Sequence, residues 1–85
     1  MNAKNILELC EKNNCIMFEP RSDMDAAVRG IILCADKLRT VYSLEALTSI
    51  FEKRDGMNHE DAIDWVTYNL DCPQAEGWPV IVSEE

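Results

Sequence analysis

The stretch Asp55-Gly56-Met57-Asn58-His59-Glu60-Asp61-Ala62-Ile63-Asp64-Trp65-Val66, running on to Pro79-Val80-Ile81-Val82, decides how this chain reads. Gly56 accepts the positive φ that ends one helix, and Asn58 can accept from the first backbone N–H groups of the next. A helix is therefore expected from His59. Glu60 and Asp61 fall in its first turn, at the positive end of the helix dipole, while Ala62, Ile63, Val66 and Leu70 recur at the spacing of a buried stripe. Asp71-Cys72-Pro73 closes it, because proline disfavours helical geometry in the residue before it. Beyond Gly77-Trp78-Pro79, the β-branched run Val80-Ile81-Val82 suits a strand.

Upstream of this stretch, Ser43 is an N-cap and Glu45 stands in a first turn. Leu44, Leu47, Ile50 and Phe51 form an apolar stripe that ends at Lys53-Arg54. Two helices thus meet across the tight turn at Gly56. Ala26 to Ala35 has two readings. As a helix capped by Asp25 it would be apolar on almost every side and weakened by Gly30; as a strand, Val28 to Cys34, it would be mostly buried, with Gly30 marking a bulge or a close backbone approach. The strand is favoured. Asp36-Lys37-Leu38-Arg39 then connects it to Thr40-Val41-Tyr42 as a hairpin. Nearer the start, Arg21 to Asp25 reads as a polar loop, Cys15-Ile16-Met17-Phe18 as a strand ended by Glu19-Pro20, and Ala3 to Asn13 as a short amphipathic helix. The expected fold is α+β: an N-terminal helix, a three- or four-stranded antiparallel or mixed sheet, and two consecutive helices before a final strand.

A chain of 85 residues is expected to form a single domain spanning residues 1–85. Its hydrophobic content of 47% and lack of repeats or low-complexity tracts place it among globular chains. No apolar run approaches the roughly 20 residues that span a bilayer. Lys4, Glu8 and Glu11 break up the start of the chain where a signal core would lie, so an unexported, cytoplasmic protein without membrane contact is expected. Cys10, Cys15, Cys34 and Cys72 contain no Cys-x-x-Cys pair, and the single histidine, His59, is distant from all of them in sequence. They read as reduced structural thiols rather than as a zinc site, and no cofactor is expected.

The net charge of −8 is unevenly spread. Asp55, Glu60, Asp61, Asp64, Asp71, Glu76, Glu84 and Glu85 meet no Lys or Arg after residue 54, whereas the acidic and basic residues before that point balance. Such asymmetry bears on partners and solubility.

From Asp25 to Val82 the chain resembles a family of small bacteriophage and prophage proteins. The resemblance rests on Ala27-Val28 before Gly30, Val41-Tyr42, Arg54-Asp55-Gly56-Met57, Glu60-Asp61-Ala62, Tyr68-Asn69, and Gly77 followed by Pro79-Val80-Ile81-Val82. It departs at Asp71-Cys72-Pro73-Gln74, where the family favours a glycine-containing turn, and at Trp78, where a small polar residue is usual. The resemblance implies a hairpin, two helices and a final strand in a bacterial host's cytoplasm; it carries no activity.

Three function classes follow. Glu60, Asp61 and Asp64 could serve acid/base or divalent-metal chemistry, and His59 could act as a base. However, Glu60 and Asp64 are simply one turn apart on a wet face, and no nucleophile motif or phosphate loop accompanies them, so the expectation is not an enzyme. The two helices resemble a helix-turn-helix regulator in outline, but a recognition helix bearing Glu60, Asp61, Asp64 and Asp71 would be repelled by phosphates; no direct nucleic-acid contact is expected. The third class is an interaction protein. Its site would be Glu60, Asp61, Asp64 and Asp71, with Trp65, Tyr68 and Trp78 as apolar anchors. The expected partner is a host protein with a basic surface, inhibited by nucleic-acid mimicry. A homodimer paired through Val80 to Val82 or Cys15 to Phe18, as a structural accessory, is the alternative.

Overall fold

A computed structural model describes residues 3–84. In chain order the elements are α1 (Ala3–Lys12), α2 (Arg21–Met24) followed by a 3-10 turn (Asp25–Ala27), β1 (Val28–Cys34), β2 (Lys37–Ser43), α3 (Leu44–Asp55), α4 (His59–Asn69) and β3 (Val80–Val82). The strands form one mixed sheet in the order β1-β2-β3, antiparallel between β1 and β2 and parallel between β2 and β3. The α+β class, with two helices between the second and last strands, is the one read from the sequence.

Local chemistry accounts for the helix boundaries. The Ser43 hydroxyl accepts from the Ala46 N–H at 3.1 Å and opens α3, while Gly56 at φ 67° closes it. Asn58 Oδ1 accepts from the Asp61 N–H at 2.9 Å and opens α4. Register fixes the sheet's two faces. Leu38, Thr40 and Tyr42 of β2 stand beside Leu33, Ile31 and Val28 of β1, and Tyr42 stands beside Ile81 of β3. Thr40 and Tyr42 are fully buried, and Ile81 packs against the core, so this is the helix-covered face. Ile32, Val41, Val80 and Val82 fall on the other face by alternation. Of the two roles open to Gly30, the bulge is present as a register shift between Val28 and Gly30, and no close backbone approach accompanies it, since nothing lies within 4 Å of where its Cβ would be.

Three expectations need correction. Cys15 to Phe18 forms no strand and joins no ladder among the described residues. Phe18 instead runs under the sheet into the core, and its N–H is satisfied by the Tyr42 hydroxyl at 2.8 Å in place of a ladder carbonyl. The sheet is consequently three-stranded. Arg21 to Asp25 is a helical turn, not a loop: the Asp23 and Met24 N–H groups both bond to the Pro20 carbonyl, and burial of Met24 holds the turn down. Finally, the hairpin connection is shorter than expected. Ala35 and Asp36 alone form the turn, and Lys37, Leu38 and Arg39 already belong to β2, since Leu38 continues the inward alternation of Thr40 and Tyr42.

Candidate functional site

Helix α4 packs chiefly on α3, burying Ala62 and Val66 against it. Helical geometry then sets the rest of its surface. Asp61, Asp64 and Tyr68 follow at i, i+3 and i+7 as a stripe turned away from that seam, and Trp65 at i+4 borders it, with its ring against Phe51 of α3. Glu60 extends the stripe at its N-terminal end, Asp71 lies just beyond the end of α4, and all six side chains are exposed. Tyr68 stands 77% exposed one turn beyond Asp64, and Trp65 is 38% exposed at the border.

Ion pairing leaves this face negative. Among the described residues no Lys, Arg or His comes within 4.0 Å of the carboxylates of Asp55, Glu60, Asp61, Asp64, Asp71 or Glu76. Glu84 differs. Its carboxylate meets the Arg29 guanidinium at 2.6 Å, so an arginine from the balanced part of the chain neutralises one of the C-terminal acids. Glu85 lies outside the described residues.

Trp65 leads from the acidic stripe into a cleft of about 420 Å³. Its ring rests on Phe51 with centroids 4.4 Å apart. The lining also includes Trp78, whose ring lies 5.5 Å from Phe18 and whose indole N–H donates to the Leu70 carbonyl at 2.8 Å. That bond satisfies a carbonyl at the end of α4 and fixes the post-helical loop. Met24 and Leu70 complete the apolar floor, while Glu19, Asp55 and Arg54 stand at the rim. Arg54 is already held by Asp23 at 3.3 Å. The two tryptophans singled out from the sequence therefore share one cleft, and Tyr68 belongs to the neighbouring helix face instead. Phe18, Met24 and Phe51 complete the cleft without a local signal, since they come from three separate segments and read only as core residues.

The remaining chemistry-bearing side chains do not converge on the cleft. His59 Nδ1 lies 3.4 Å from a Glu52 carboxylate oxygen at an exposed helix start. All four cysteines are free: Cys10 is buried, Cys15 and Cys34 half-buried, and Cys72 exposed. Burial pushes the Cys15 thiol pKa up, which lowers its thiolate fraction, and its Sγ donates to the Leu38 carbonyl at 3.5 Å. No group of three or more His, Cys, Asp or Glu side chains among the described residues is placed to hold a metal ion. No described helix is long and apolar enough to cross a membrane.

Comparison with protein-family models, curated proteins and solved structures finds no match to this chain.

Proposed function

We propose that this chain is a non-catalytic binding module that docks its α4 flank on a basic surface of a partner protein. The observation that carries the reading is the uncompensated stripe of Asp61, Asp64 and Tyr68, placed beside an aromatic cleft walled by Trp65 and Trp78. Clustered carboxylates make the local potential negative and speed encounter with a cationic surface, while an apolar side chain of the partner entering the cleft supplies affinity that charge alone does not. The same field repels phosphate backbones, so the partner is a protein rather than a nucleic acid. A surface that normally holds nucleic acid has the complementary charge. The resemblance to phage proteins supports a host protein as target, inhibited in the bacterial cytoplasm.

Capture from host lysate at low and high salt, with wild type, Asp61→Lys/Asp64→Lys and Trp65→Ala side by side, tests the proposal. The expected result is a basic protein retained at low salt, weakened by salt and by charge reversal, and lost with Trp65→Ala. Retention indifferent to salt, charge reversal and Trp65 overturns it, as does failure to retain any basic protein.

A further inference from the structure

Among the described residues the sheet has two free edges, and they are unequal. On one side β3 offers three residues; on the other β1 offers seven, Val28 to Cys34. An unpaired edge presents N–H and C=O groups ready for another strand, and proteins commonly blunt such edges with lysine, proline or brevity. Strand β1 has none of these devices. Its only charge is Arg29 at the start, where the bulge lies, and the rest is Gly30-Ile31-Ile32-Leu33-Cys34.

Exposure on β1 selects the direction from which a partner must come. Ile32 is 43% exposed and Leu33 65% exposed. As successive strand residues they point to opposite faces of the sheet. A partner lying on either face would cover one and leave the other in water. Only a strand laid along the edge reaches both. Backbone alternation agrees: counted from the pair Cys34–Lys37 that closes the two-residue turn, bonded pairs fall at Ile32–Arg39 and Gly30–Val41, so Ile31 and Leu33 turn their N–H and C=O groups toward the free edge.

We infer that β1 pairs antiparallel with β1 of a second copy of this chain, joining two three-stranded sheets into one of six strands. A two-fold axis at Ile32 sets Ile31 opposite the partner's Leu33 and Ile32 opposite the partner's Ile32, so one patch meets itself. The same register brings the Ala35–Asp36 turn alongside the partner's Arg29, so each end of the joined edge sets a carboxylate near a guanidinium that Glu84 of its own chain already meets at 2.6 Å. The acidic flank does not oppose this approach, because α4 packs chiefly on α3 and not on β1. One pair of strands, flanked by α1 packed against β1, covers less than the ~800 Å² per partner of a standard interface, which places the association in the weak, reversible class.

Light scattering and sedimentation over about 1 µM to about 1 mM test this, a range suited to a small interface. Wild type is expected to rise toward twice the monomer mass, whereas Ile32→Lys and Leu33→Lys remain monomeric with an unchanged circular dichroism spectrum. Val82→Lys, at the other edge, dimerises like wild type. Amide exchange on wild type needs no substitution, and it should slow at Ile31 and Leu33 as concentration rises. Monomer throughout, dimerisation undisturbed by Leu33→Lys, loss of the dimer in Val82→Lys alone, or exchange at Ile31 and Leu33 independent of concentration each overturn the inference.

Discussion

Replacing Tyr42 by phenylalanine probes the point where sheet, helices and the Phe18 segment meet. Tyr42 is fully buried, stacks on Phe18 with centroids 4.4 Å apart, and accepts the Phe18 N–H at 2.8 Å through its hydroxyl. The substitution keeps the ring and removes the acceptor. Leaving one buried amide unpaired costs roughly 1–3 kcal/mol, a large part of the roughly 4–13 kcal/mol expected for a domain of this length. A second arm comes from pH. Burial pushes the Tyr42 phenol up to about 12, so the folded state holds its proton more tightly than the unfolded chain does. Stability from this group is therefore intact below pH about 10 and lost as pH rises through about 12. At pH 11, midway, the wild type should have given up roughly 1 kcal/mol through this linkage. Phenylalanine has no such proton. Urea titrations of both proteins, followed by circular dichroism at neutral pH and at pH about 11, should show the gap between them narrowing by about that amount. A variant as stable as wild type at neutral pH, or a gap that does not change with pH, refutes the reasoning.

Removing the α4 cap with Asn58→Ala should cost about 1 kcal/mol, because the Asp61 N–H loses its acceptor; thermal unfolding reads the loss. Ala35→Gly should stabilise by roughly 0.5–1 kcal/mol, since Ala35 sits at φ 55° in the hairpin turn, and urea denaturation reads the gain. The Glu45 carboxylate accepts from the Glu84 N–H and the Ser83 hydroxyl, both at 2.8 Å, and these bonds hold its pKa below the ordinary value. That lowering makes the contribution present above the unfolded-state pKa and lost as pH falls through the folded one. Protection of the Glu84 amide from exchange, taken relative to its intrinsic rate at each pH, should fall in acid for wild type and be absent throughout in Glu45→Ala.

Elements whose information is local were legible in the sequence. Ser43, Gly56 and Asn58 each act within four residues of themselves, and the α3 and α4 boundaries follow from them. Gly30 likewise marked its bulge. The Cys15–Phe18 segment was not legible, because a short apolar run has the same composition whether it joins a ladder or fills a core; the Tyr42 hydroxyl, 24 residues away, decides the matter. Arg21 to Met24 hid its helical turn behind polar residues, since its one buried side chain, Met24, gives no periodicity. For the candidate site the same division holds. Helical spacing placed Asp61, Asp64, Trp65 and Tyr68 together, whereas the union of Trp65 and Trp78 in one cleft depended on the fold of the loop after α4.

The parallel pairing of β2 with β3 has a kinetic corollary. Val41 can find Val80 only after the intervening helical hairpin has brought the chain back, so this ladder closes a long loop for a reward of three residue pairs. The β1–β2 hairpin, closed by two residues, faces no such delay. Folding should thus finish at the last strand, and under native conditions β3 should be the first part of the sheet to let go.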